Sequence, residues 1–298
     1  MTAALFVLTD GVHLLDVAGP AQVLAAAGDR GAEYRLGYVG EAPTVRSHQG
    51  VRLAADTEWP QLTRHDIVVV PGWRTAGASV PFARDTLRRI AEHHEAGGEV
   101  MSVCSGAFAL AAAGLLDHRR CTTHHELCAE LAARNPTADV VRDVLYVSEG
   151  GVRTSAGIAS GIDAALALLT DRHGPALAAQ VARSMVVYTR RNGDSPQRSI
   201  MLAHRDHTDD TVHRALDLID TRFAENLPLQ TIARHAGVSE RTLTRSFGAV
   251  VGTTPLRYQQ ALRLEHAEAL IAGGATVENA ARTVGFADGR MLRRLRSG

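Results

Sequence analysis

The apolar positions of this chain follow two regimes. Through residues 1–190, short apolar runs of strand length alternate with longer stretches whose apolar positions recur every three or four residues. The runs ALFVLT (4–9), YRLGYVG (34–40), IVVVPG (67–72) and GEVMSVC (98–104) predict strands. The β-branched run at 67–72 is the mark of a strand buried on both faces. VRSHQGVRLAAD (45–56, about Gly50) and LYVSEGGVRTS (145–155) predict hairpins. Helical spacing covers 15–28, 83–96, 106–116, 161–172 and 175–188. Alternation of this kind predicts an α/β domain, a mostly parallel sheet with helices on both faces.

Beyond residue 207 the strand-length runs stop and helical spacing takes over. LQTIARHA (Leu229, Ile232, Ala233, Ala236) meets Gly237, and Ser239 then opens a helix with Leu243 and Phe247 on one face. Glycine accepts the sharp turn and serine is a favoured N-cap. The outward side of that second helix offers Arg241, Thr242, Thr244 and Arg245, side chains suited to base edges and phosphates. One such unit is also the pattern of an ordinary helical hairpin. Its recurrence at 276–296 favours DNA: Ala280 and Ala281 answer Ile232 and Ala233, Gly285 answers Gly237, and Arg290, Arg293 and Arg294 follow. A long helix opened by Pro255 joins the two, with Leu256, Ala261, Leu262, Leu264, Ala267 and Leu270 as its apolar positions. Residues 207–296 thus resemble the paired helix-turn-helix domain of AraC-type transcription regulators. That family continues past the second recognition helix into a closing helix, whereas this sequence ends at Arg296-Ser297-Gly298. The comparison predicts a shortened domain whose second unit is less firmly anchored.

Composition narrows the setting. The 298 residues suffice for two domains, and no apolar run approaches the ~20 residues of a membrane span. The start, MTAALFVLTDGV, lacks a basic leader and reads as a buried strand, not a signal peptide. Three cysteines without paired spacing point to a reducing, cytoplasmic setting. Net charge is zero, yet residues 195–298 hold 14 Arg against 11 acidic residues, a basic bias that suits nucleic acid. The polar, turn-rich stretch 190–210 separates the two regimes. The expected organisation is a first domain at 1–190, a linker at 191–206 and a DNA-binding domain at 207–298.

Candidate chemistry in the first domain centres on SVCSGAFALAAAGLL, where Cys104 stands at a strand-to-helix elbow. A helix N-terminus favours a thiolate, and amides there stabilise anions. A buried inert cysteine fits the junction equally well. LLDVAGPAQVL, DIVVVPGW, VCSGAFALAAAGLLDHRRCTTH and TSAGIASGIDAALALL resemble the class-I glutamine-amidotransferase-like superfamily in its PfpI-type branch. The resemblance implies a flavodoxin-like sheet, a reactive thiol at Cys104, a nearby carboxylate at Asp16, an oxyanion-type amide at Gly72 and the histidine of a threonine-histidine motif at His124. Ser105 completes the expected pocket. Fusion of the two domain types resembles the GlxA-type regulators, in which the pocket serves as an effector sensor. The expected function is a homodimeric, DNA-binding transcription regulator, paired mainly through residues 1–190, acting on double-stranded DNA and answering an unidentified small molecule without catalysis. A cysteine-dependent hydrolase or isonitrile-hydratase-like enzyme using Cys104 is the alternative, and a dimeric scaffold without DNA binding is a third reading. CTTHHELC (121–128) has zinc-like spacing, but it reads as the threonine-histidine turn running into a helix, so no metal and no cofactor are expected. His93, His94, His204 and His207 read as solvated surface residues.

Overall fold

The computed structural model describes residues 1–74, 79–187, 191–195, 197, 204–205, 207–272 and 274–296. The chain divides into two compact units, Met1–Gln197 and Arg198–Gly298.

In the first unit the strands are β1 (Thr2–Leu8), β2 (Tyr34–Gly40), β3 (Thr44–Arg46), β4 (Arg52–Ala54), β5 (Ile67–Val70), β6 (Glu99–Val103), β7 (Arg120–Cys121), β8 (Asp139–Val140), β9 (Tyr146–Glu149) and β10 (Val152–Ser155). The helices are α1 (Leu14–Gly28), α2 (Arg84–Glu95), α3 (Gly106–Ala112), α4 (Cys128–Arg134), α5 (Ser160–His173) and α6 (Pro175–Ser184). The main sheet runs β2-β1-β5-β6-β10-β9. Its strands are parallel except β9, which pairs antiparallel with β10. Strand alternation sends Phe6, Val69 and Met101 to one face, where Val23 and Leu24 of α1, Leu166 of α5 and Val181 of α6 cover them. Leu5, Val68 and Val100 point the other way, onto Ile90 of α2 and Phe108 of α3. This is the predicted parallel sheet with helices on both faces. The hairpin about Gly50 forms as β3 and β4.

Two helices stop short of their predicted ends for the same reason. After α3, Gly114 takes a left-handed φ of 75° and the Leu115 amide returns to Leu110 O at 2.9 Å. After α6, Val186 does the same at φ 55°, with the Val187 amide on Ala182 O. Residue 188, the predicted end of that helix, lies outside the described residues, as do 196, 198–203 and 206 of the expected linker. The rest of that linker is tied down. Arg191 pairs with Asp163, and the Leu145 amide donates to Gly193 O at 2.8 Å. The first unit therefore holds the chain past residue 190. Arg205 pairs with Asp217 and Asp220 of the second unit.

The second unit contains α7 (Asp210–Thr221), α8 (Leu229–Ala236), α9 (Glu240–Val251), α10 (Pro255–Ala272), α11 (Val277–Thr283) and α12 (Gly289–Arg296). Gly237 is left-handed at φ 75°, and the Ser239 hydroxyl accepts the Thr242 amide at 3.2 Å, as the turn and cap reading requires. Leu243 and Phe247 are fully buried. The second helix-turn-helix is better anchored than expected. Leu292 of α12 is 0% exposed and packs with Ala267, Ala280, Ala281, Val284 and Phe286. Two apolar assignments on α10 need correction: Leu256 is 61% exposed and Leu270 also faces solvent, while Tyr258 and Gln259 join Leu262 and Ala267 among its buried residues. Tyr258 is buried because its hydroxyl reaches Asp220 Oδ1 at 2.6 Å. His93 is likewise buried, at 7% exposure, on the carbonyl of Asp66, and His204 and His207 are half-buried.

Arg263 of α10 joins the two helix-turn-helix units. Its guanidinium donates to Phe223 O, Gly285 O and Glu225 O at 2.7–2.8 Å. Gln259 adds bonds to Phe223 O and Glu225 O. At Gly285 (φ 86°) a Cβ would stand 1.9 Å from Ala224 O, so only glycine fits this seam. Arg263→Ala removes three hydrogen bonds and strands Gly285 O, while Gln259 still serves the other two carbonyls, and it should lower the stability of the second unit by about 1–3 kcal/mol. Arg263→Lys should not restore it, because one ammonium does not reproduce the planar fork. Calorimetry of the full chain checks this; an unchanged second-unit transition contradicts it.

Candidate functional site

The strand order places β1 and β5 at the switch point of the sheet, where an open α/β sheet leaves a crevice beyond its strand ends. Four strand ends converge there. Asp16 follows β1 on the first turn of α1, Gly72 follows β5, Cys104 follows β6, and Gly157-Ile158 follow β10. Close packing dictates the glycines. A Cβ on Gly72 would lie 2.5 Å from Asp16 Oδ2 and 2.7 Å from Cys104 Cβ; one on Gly157 would lie 2.3 Å from Cys104 Cβ; one on Gly106 would meet Val70 O at 2.1 Å. The backbone is strained on two sides of this point. Cys104 has φ 55° and the β-branched Ile158 has φ 51°, conformations that L-residues resist and that concentrate at functional sites.

Asp16 is 0% exposed. Its Oδ1 accepts the Ile158 amide at 2.8 Å, and its Oδ2 is buried without a hydrogen-bond partner among the described residues. Burial raises its carboxyl to about 6, against the amides of Ile158 and Gly72, which favour the anion. The Gly72 amide lies close enough to Asp16 to favour its anion. Cys104 is 6% exposed, and its thiol is pushed up to about 12, first by burial and then by the Asp16 charge, with the Ser105 amide pulling weakly the other way. Of the two readings the junction allows, desolvation outweighs the helix N-terminus and raises the thiol. The Ser105 hydroxyl does not face a ligand either: it donates to Trp73 O and accepts the Trp73 amide, both at 2.8 Å.

His124 is half-buried, its ring 4.3 Å from that of His125 and its Nδ1 3.6 Å from Glu126 Oε2. Burial and the His125 charge lower its pKa, with Glu126 opposing. Among the described residues it makes no hydrogen bond to Cys104. The motif contributes instead through Thr123, whose hydroxyl donates to Cys104 O at 2.7 Å. Cys121 lies in β7 and Cys128 opens α4, both buried. Sequence reasoning missed His13, whose pKa is lowered by burial and by His48, His124 and Arg74 nearby. It also missed Ile158; the TSAGIASG segment at the end of a parallel strand was the available signal.

The second candidate surface is α9. Arg241, Thr244 and Arg245 are exposed and Thr242 is half-buried, all clear of Leu243 and Phe247. The Thr244 hydroxyl donates to Glu240 O and so retains only acceptor capacity, and Thr242 Oγ1 shares a hydrogen bond with Ser239 Oγ at 2.9 Å. Arg241 and Arg245 form no ion pair among the described residues. On α12, Arg290, Arg293 and Arg294 are exposed, and Asp288 caps the helix by accepting the Arg290 and Met291 amides.

The raised Asp16 carboxyl has a consequence for stability. Between roughly pH 4 and 6 the folded chain keeps a proton the unfolded chain has lost, so stability falls as pH rises through that window. Asp16→Asn keeps an oxygen for the Ile158 amide and removes the buried charge. It should stabilise the first unit at pH 7.5 by about 2–3 kcal/mol at most and flatten its pH dependence. A less stable Asn variant at pH 7.5 contradicts the assignment.

Comparison with known proteins agrees with this geometry. The DJ-1/PfpI family model matches residues 2–171, and a helix-turn-helix domain model matches residues 232–295. The HTH-type transcriptional regulator GlxA of Rhizobium meliloti is 30% identical over 271 residues, spanning 89% of this chain and 82% of that protein. Isonitrile hydratase of Pseudomonas putida is 36% identical over 174 residues, 57% of this chain and 71% of the enzyme. The crystal structure of an AraC family transcriptional regulator from Pseudomonas putida superposes with a TM-score of 0.53 at 22% identity, covering 62% of this chain and all of that one, a likeness of fold. Matched over more than half its length and carrying a helix-turn-helix domain behind that match, the chain belongs to the DJ-1/PfpI family and is a DNA-binding transcription regulator.

Proposed function

We propose that the Cys104 elbow of this regulator is a non-catalytic pocket that senses a small molecule, and that the chain acts as a cytoplasmic homodimer paired through its first unit. The observation that carries the reading is the burial of Cys104, 6% exposed, beside the fully buried carboxyl of Asp16, a setting that raises the thiol. A nucleophile needs an oriented base, and among the described residues the His124 ring makes no hydrogen bond to Cys104 and lies 3.6 Å from Glu126 Oε2 through Nδ1. Strain at Cys104 and Ile158, with an unpaired Asp16 oxygen between them, supports a pocket poised for a polar ligand. The three free cysteines, all buried, suit a reducing compartment.

The competing reading, a hydrolase or isonitrile-hydratase-like enzyme, draws on the similarity to isonitrile hydratase and on the strained cysteine. The two separate cleanly. Under the sensor reading the purified chain turns over neither small amides nor isonitriles, and Cys104→Ala leaves DNA affinity without ligand unchanged. Turnover that disappears in Cys104→Ala establishes the enzyme.

On DNA, Arg241 and Arg245 of α9 are assigned to one base edge and one phosphate, with Arg290, Arg293 and Arg294 of α12 as the second reading surface. Replacing the base reader by Ala should weaken binding by about 1–3 kcal/mol and relax preference at one position. Replacing the phosphate contact should weaken all sequences alike and reduce the salt slope by about one ion. Fluorescence anisotropy with duplexes from upstream of the chain's own gene, at two salt concentrations, checks both. Intact affinity in Arg241→Ala/Arg245→Ala removes α9 as the reading helix.

A further inference from the structure

Two hydrogen-bonded paths run from the elbow to the last residues of the first unit. On one side, Cys104 O accepts the Thr123 hydroxyl at 2.7 Å. Thr123 O in turn accepts the Gln197 side-chain amide at 2.9 Å, and the same amide reaches Val144 O at 3.0 Å. The other path leaves the opposite wall. Gly157 packs on Cys104, and its neighbour Ala156 donates its amide to Leu145 O at 2.8 Å. The Leu145 amide donates to Gly193 O at 2.8 Å and Ser195 O at 3.1 Å. Arg191 grips Asp163 on α5, the helix that opens just beyond Ile158.

Residues 191–195 and Gln197 are therefore bonded to both walls of the pocket, and Gln197 is the last residue before the second unit begins at Arg198. Its hold is incomplete. The amide nitrogen makes two bonds, but Oε1 is buried with no partner among the described residues. A partly satisfied polar contact in a low-dielectric setting is easily tipped. Asp143, which accepts the Gln197 main-chain amide at 3.1 Å, sits at a left-handed φ of 54°.

We propose that Gln197 is a positioning residue for DNA binding. It clips the attachment point of the DNA-binding unit to Thr123 and Val144, and movement of Cys104 when the pocket fills is passed through Thr123 to release or tighten that clip. The proposal rests on the sensor reading for its trigger. A ligand shifts the regulator only as far as it prefers the clipped or the released state.

The test needs no ligand. In the full chain, Thr123→Val removes the bond to Cys104 O, which keeps the Ala107 amide, and leaves the carbonyl that Gln197 uses. Hydrogen exchange over residues 191–197 should rise about fivefold in Thr123→Val, although that hydroxyl touches none of them. Gln197→Leu should change affinity for upstream duplex DNA about threefold, and adding Thr123→Val to it should change affinity no further. Unchanged exchange in Thr123→Val, unchanged affinity in Gln197→Leu, or effects on affinity that simply add, each overturns the clip. The turnover and Cys104→Ala measurements decide the sensor reading separately, so the two failures are distinguishable. If Thr123→Val folds poorly, Thr123→Ser, which keeps the hydroxyl, should match the native exchange; a raised rate there also overturns the proposal.

Discussion

Asp16 is the point on which the first unit turns. A carboxyl with no solvent exposure is placed at the switch point of the sheet and held through one oxygen by the amide of Ile158. Everything near it follows from accommodating that group. Gly72 and Gly157 are glycines because the elbow leaves no room for a Cβ. Ile158 accepts a left-handed backbone because its amide must face the carboxyl. The charge of Asp16, added to burial, keeps the Cys104 thiol protonated. Such an arrangement works against the stability of the empty protein, and groups of this kind are kept where a site requires them.

The second unit is governed by a different contact. The two helix-turn-helix units have separate small cores, one around Leu243 and Phe247 and one around Ala281 and Leu292. Neither core is large, and Arg263 sews them together through backbone carbonyls on both sides. A rigid pair of reading helices is what two successive major-groove contacts demand. The elbow and the reading helices thus belong to units with independent packing. The chain leaves the first unit at Gln197, which is why the bonds holding Gln197 matter.

Much of this was legible in the residues. Period-two and β-branched runs located the sheet strands to within a residue or two, and Gly237 with Ser239 marked the turn and cap of the first reading unit. Cys104 was legible from its strand-to-helix junction, and Asp16 and Gly72 only through the PfpI-type resemblance. Their chemistry was not. Whether a helix N-terminus or burial governs Cys104 depends on how tightly Gly72, Gly157 and Asp16 close over it, and that is a property of packing from four distant segments. Ser105 looked like a pocket residue, but its hydroxyl is spent on Trp73, which sequence spacing does not reveal. The second unit's anchor, Leu292, was not legible, because which side of a short helix meets Ala267 and Phe286 is settled by packing.

The protonation state of Cys104 is the claim on which the sensor account stands. It is measured by following the rate of iodoacetamide alkylation at Cys104 against pH in the native chain, with the modified peptide identified by mass. A thiol pushed up to about 12 gives a slow rate that is still climbing beyond about pH 10. A rate that reaches its plateau by about pH 7 shows a thiolate poised for attack and contradicts the account.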